Sequence, residues 1–154
     1  MSYQATLPER IANKRVLVVD DTPSIRAMAT ANLRSIGFHN IVELGNGLDA
    51  LTHINEKPVD IIISDWDMPE LNGLELLKTL RSYEQLEKIP FIMFTGSDSS
   101  QHIEIAIEAG TTDYIIKPFT TKSLAVKTIK ALMKSEYKKV DLREIQLEPQ
   151  RDDE

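Results

Sequence analysis

Five short apolar runs alternate with five amphipathic stretches between about residue 15 and residue 134. Arg15-Val16-Leu17-Val18-Val19 opens the series and stops at Asp20-Asp21-Thr22-Pro23. A proline behind Asp and Thr marks a helix start. Ile25, Met28, Ala29, Leu33 and Ile36 then recur at helical spacing as far as Gly37. Strands are expected again at 41–44, 59–64, 91–94 and 114–116, and the third of the five runs is apolar almost throughout. A strand with no polar alternation is one covered on both faces. Leu48, Leu51 and Ile54, then Leu74, Leu77 and Leu80, then Ile103, Ala106 and Ile107 before Gly110 each mark one face of a helix. Leu124, Thr128, Ala131 and Leu132 mark a fifth. Such a series predicts an α/β fold, a doubly wound five-stranded parallel sheet with right-handed crossovers.

Composition narrows the chemistry. A chain of 154 residues has room for one sizeable core, and 42% hydrophobic with 27% charged residues is globular composition. The formal charge of −6 argues against nucleic acid or an anionic membrane as partner. With no cysteine, disulfides, thiolate metal sites and thiol catalysis are excluded. Neither a signal-peptide core near the start nor an apolar run of about 18 residues is present, so a soluble, cytoplasmic domain is expected. His39, His53 and His102 fall in separate elements, which predicts surface or loop roles rather than a metal set.

In open parallel sheets, ligands bind beyond the carboxyl ends of the strands, where strand order reverses. The first run ends in Asp20 and Asp21, the third in Asp65, the fourth in Thr95 and the fifth in Lys117; the second ends in nothing comparable. For the order 2-1-3-4-5 the reversal lies between the first and third strands, where the three carboxylates would converge. Close carboxylates repel and are unstable without a cation, and oxygen donors with open positions suit Mg2+. A carboxylate can also attack phosphorus, a reaction that needs mainly in-line positioning and charge neutralisation. Lys117 and Thr95 would add to both. Each piece alone has a plainer meaning: Asp-Asp before a helix is a cap, Lys117-Pro118 a turn, Thr95-Gly96 a strand end. It is the coincidence at four of five strand ends that points to a site.

With these residues in this order, VLVVDD, IISDWDMPELNGLELLKTLR, FIMFTG and DYIIKPF resemble the bacterial response-regulator receiver family, particularly its single-domain chemotaxis members. The resemblance spans residues 14–134 and implies the flavodoxin-like order 2-1-3-4-5, leaving 1–13 as an N-terminal extension and 135–154 as a charged tail. It implies that Asp65 is the phosphoryl acceptor. Mg2+ would be held by Asp21, Asp65 and the backbone carbonyl of Asp67, with Asp20 acting largely through water. Lys117 would pair with the phosphoryl group or, before phosphorylation, with Asp65. Thr95 would move to the phosphoryl group and let Tyr114 turn inward on an output face built from the fourth helix, fifth strand and fifth helix. The family also implies a cis Lys117-Pro118 bond, a loop shaped by Met68-Pro69 and Gly73, and tuning of the acyl phosphate by the residues at Asp67 and Ser97. Gly96 stands where alanine is usual. The implied donor is a histidine kinase and the implied recipient a protein such as a flagellar-motor switch component. Such a chain is a switch rather than an enzyme, with at most self-catalysed phosphotransfer and autodephosphorylation.

Other readings remain at this point. The chain could be a receiver fragment of a larger regulator or a phosphorelay intermediate, although only about twenty residues follow the fifth helix. Asp65-Trp66-Asp67 also resembles the nucleophile motif of haloacid-dehalogenase-type phosphatases, but there the nucleophile strand comes first and a lid covers the substrate. A flavin-binding protein would need a hydroxyl-rich phosphate loop where Asp20 and Asp21 stand. In the tail, Met133, Tyr137 and Val140, with Ile145 and Leu147 beyond, form an apolar stripe that could dock beside the fifth helix.

Overall fold

The structure, a computed structural model, describes residues 7–139, with side chains through residue 135. A short helix, α1 (Glu9–Ala12), precedes the alternating series β1 (Arg15–Val19), α2 (Pro23–Ile36), β2 (Asn40–Leu44), α3 (Gly47–Glu56), β3 (Ile61–Asp65), α4 (Gly73–Arg81), β4 (Phe91–Thr95), α5 (Ser100–Ala109), β5 (Asp113–Ile116) and α6 (Thr121–Lys139). The five strands form one sheet of order β2-β1-β3-β4-β5, every pair parallel. The register sets Val19 beside Ser64 and Asp65 beside Phe94, so β1, β3 and β4 end side by side.

Strand pleating divides the core in two. Val16 and Val18, Ile61 and Ile63, and Ile92 and Phe94 pack with Leu33 of α2 and Leu124 and Leu132 of α6. Leu17 and Val19, Ile62, and Phe91 and Met93 face the other way, onto Ile54 of α3, Leu76, Leu77 and Leu80 of α4, and Ala106 of α5. All three central strands are buried on both faces, which is why their sequences lack alternation.

Local chemistry sets the helix ends. Pro23 opens α2, and Gly37 closes it at φ 124°, a backbone region that disfavours side chains. Asn72 and Glu75 form a reciprocal cap at the start of α4: the Asn72 side chain accepts the Glu75 N–H at 2.8 Å, and Glu75 accepts the Asn72 N–H at 3.0 Å.

Part of the N-terminal extension belongs to the core: Ile11 and Ala12 are buried, and the Ala12 carbonyl accepts the His39 N–H at 3.1 Å. At the other end, α6 continues past residue 134 to Lys139, since residues 133–139 contain no glycine or proline to halt it. Met133 is exposed, while the Tyr137 side chain and Val140, Ile145 and Leu147 lie outside the described residues, as does most of the proposed docking tail. No described helix is long and apolar enough to cross a membrane.

Candidate functional site

Continuing the pleat past the strand ends places the polar groups. Asp20, Asp65 and Lys117 share the parity of Val18, Ile63 and Ile115, which face α2 and α6. Thr95 shares the parity of Phe91 and Met93 and, like Tyr114, lies on the α4–α5 side. The acid pocket and the Thr95–Tyr114 pair are therefore on opposite faces of the sheet's upper edge.

One carboxylate oxygen each from Asp20, Asp21 and Asp65 lie within 4.8 Å of one another. Asp20 and Asp65 are buried and Asp21 is exposed, so the cluster opens to solvent on one side. Lys117 bridges the two buried members, its Nζ donating to Asp20 Oδ2 at 2.9 Å and to Asp65 Oδ1 at 3.2 Å. The Lys117–Asp65 pair expected from the sequence is present, and Asp20, expected to meet Mg2+ largely through water, is a second and closer partner of the same ammonium. The other Asp20 oxygen, Oδ1, accepts the Thr22 N–H at 2.9 Å, and its carbonyl accepts Arg26 Nη1 at 2.6 Å. Lys117 Nζ also lies over the Phe94 ring, 5.0 Å from its centroid.

Burial, and then the Asp20 charge, push Asp65 up to about 6, against the opposing pull of Lys117. Burial alone would lower Lys117, but the Asp20 hydrogen bond and the charges of Asp65 and Asp20 outweigh it and leave its ammonium raised. Three carboxylates thus share one cation, and a net negative pocket of oxygen donors remains. That donor set fits a small divalent cation such as Mg2+.

The loop after Asp65 is held from behind. Gly73 N–H donates to the Trp66 carbonyl at 2.8 Å, and a Cβ on Gly73 would collide with the Asp65 carbonyl oxygen. Only glycine lets α4 start this close to the end of β3. Met68 is buried, Asp67 exposed, and Glu70 takes a positive φ of 69° in the same loop. The Asp67 side chain is not part of the three-carboxylate cluster.

On the opposite face, Thr95 is buried and its Oγ1 accepts the Ser97 N–H at 3.2 Å. Tyr114 is turned inward, and its hydroxyl donates to the Ser97 carbonyl at 2.8 Å. Burial raises the Tyr114 phenol, a Thr95 hydrogen bond opposes that rise, and the charges of Asp98 and Asp67 add to it. The Lys117-Pro118 bond is cis. His102, expected in a plain surface role, is exposed but engaged: its Nδ1 lies 2.7 Å from Ser97 Oγ, and its ring meets Trp66 at 5.2 Å. Nothing in the local sequence signals that contact.

Comparison with known proteins now discriminates between the readings. The response regulator receiver domain model matches residues 16–129. The chain is 38% identical over 121 residues to chemotaxis protein CheY-3 of Vibrio cholerae, covering 77% of this chain and 93% of that protein. It is 35% identical over 114 residues to chemotaxis protein CheY1 of Helicobacter pylori, covering 73% and 92%. Among solved structures, the chemotaxis protein CheY4 of Vibrio cholerae superposes with a TM-score of 0.71 at 31% identity, over 79% of this chain and 99% of that one. The family match runs through all five strands, including β1 and β3, whose ends carry the acid pocket, and so sets aside the dehalogenase-type and flavin-binding readings: the chain belongs to the response-regulator receiver family, among its CheY-like members.

Proposed function

We propose that Asp65 accepts a phosphoryl group from a histidine kinase and that the resulting change of shape is read by a partner protein. The observation that carries this reading is the convergence of Asp20, Asp21 and Asp65 on one point, with Lys117 bridging the two buried carboxylates. At about 6, the Asp65 carboxyl is largely ionised at neutral pH and available as a nucleophile. Its oxygen attacks phosphorus while the bond from phosphorus to the donor imidazole breaks, the electron pair leaving with the imidazole. Lys117 stands where negative charge gathers on the transferring oxygens. Asp20, Asp21, Asp65 and the Asp67 backbone carbonyl would hold Mg2+, which when bound neutralises part of that charge.

Thr95, at the end of β4, is the hydroxyl that responds to the new group, and Ser97 and Tyr114 carry the response to the α5–β5–α6 face. Exposed Ile107, Ile116 and Val126 give that face apolar ground for a partner. Since two relatives are chemotaxis proteins, a flagellar-motor switch component is the partner we assign, and the cytoplasm the compartment. The chain acts as a switch, its own chemistry limited to taking up and losing the phosphoryl group.

Acetyl phosphate with Mg2+ tests the reading. It should add one acid-stable, base-labile phosphoryl group to the parent and none to Asp65→Asn. Full labelling of the variant would refute the assignment.

A further inference from the structure

We propose that His102 is a positioning residue: it ties the β4–α5 loop to the acceptor loop and thereby sets the rates at which Asp65 gains and loses its phosphoryl group. The proposal rests on the reading of Asp65 given above. Ser97 is the hub of the β4–α5 loop, its N–H donating to Thr95 and its carbonyl accepting from Tyr114. Its hydroxyl oxygen accepts the Ser99 N–H at 3.3 Å, so its proton is available to His102 Nδ1 at 2.7 Å. Beside it, exposed Gly96 has nothing within 4 Å of where a Cβ would be, so packing does not restrain that backbone.

The same imidazole meets the indole of Trp66, the residue after the acceptor, at 5.2 Å and 73°, an edge-to-face contact. A ring held on one side by a hydroxyl and on the other by an indole has its orientation fixed. Its backbone is fixed too, since His102 sits in the first turn of α5, which Ala106 anchors in the core. The chain of contacts runs from Trp66 through His102 to Ser97 and on to Thr95 and Tyr114. Loss of the tether frees the loop that carries Ser97, and Thr95 is then less often in place. Because Thr95 would serve the transition states of both transfers, to Asp65 from the donor and from Asp65 to water, uptake and hydrolysis should slow together.

The test uses the full chain, following labelling from acetyl phosphate and loss of label after its removal. His102 is exposed, so its replacement leaves the core intact. His102→Ala should lower both rates about three- to tenfold, the effect of losing one ordinary hydrogen bond. His102→Asn, with Oδ1 near the place of Nδ1, should recover most of the loss, and His102→Phe, which keeps only the ring, should not. Ser97→Ala should match His102→Ala, and the double variant should be no slower than either. Trp66 emission should differ between His102→Ala and the parent. Unchanged rates, additive effects, or faster hydrolysis in His102→Ala would overturn the proposal while leaving the Asp65 reading intact. A folded parent that takes no label would remove both.

Discussion

Lys117 is hydrogen-bonded more closely to Asp20, at 2.9 Å, than to Asp65, at 3.2 Å, the carboxyl proposed to take the phosphoryl group. One ammonium thus satisfies two buried carboxylates. Lys117→Met would leave both without that partner and should destabilise the metal-free fold at neutral pH by about 1–3 kcal/mol. The loss should shrink toward pH 4, as Asp65, raised to about 6, protonates. Urea melts in EDTA at both pH values measure it, and an equal loss at each would show that the lysine stabilises by packing alone.

Asp65 gives a pH dependence of definite sign. Its carboxyl is raised from 3.8 to about 6 in the folded state, so between those limits the folded protein holds a proton that the unfolded chain has released. This group therefore lowers metal-free stability as pH rises from about 4 to about 6, and the deficit stays constant above that. Asp65→Asn should be more stable than the parent near pH 7 by about 1–3 kcal/mol, and the gap should close by about pH 4. Thermal melts of both proteins in EDTA across this range check it.

Gly73 faces the Asp65 carbonyl so closely that even one methyl cannot be added without moving β3 or α4. Gly73→Ala should cost about 1–3 kcal/mol, the range for overpacking a tight contact, and should also slow labelling of Asp65. A variant with parental stability and parental labelling would show that the acceptor loop yields freely.

Trp66 is the sole tryptophan, adjoins Asp65 and is partly buried. Millimolar Mg2+ and then beryllofluoride should each change its emission in the parent. In Asp21→Ala the Mg2+ response should shift to higher concentration. The same variant should also gain up to about 1 kcal/mol of metal-free stability, because a like charge next to Asp65 is removed. Titration by fluorescence and a melt in EDTA test the two halves separately.

The sequence alone determined the elements and the groups at their ends. Burial on both faces leaves apolar runs, helices leave a 3.6-residue period, and four of the five strands end in a group of the candidate site, so Asp20, Asp21, Asp65, Thr95 and Lys117 could be found one by one. The family patterns added the strand order. Which of these groups touch was decided by tertiary structure. Lys117 and Asp20 are 97 residues apart, and their distance depends on strand register, twist and the rotamers that packing allows. The same holds for Gly73 against Asp65 and for His102 against Trp66 and Ser97, contacts between loops that no periodicity encodes. It holds also for α1, whose four residues are too few to show a period and which is placed by the burial of Ile11 in a core formed by strands and helices far along the chain. Local rules act over a few residues, whereas the geometry of the site is set by packing among segments that meet only once the sheet has formed.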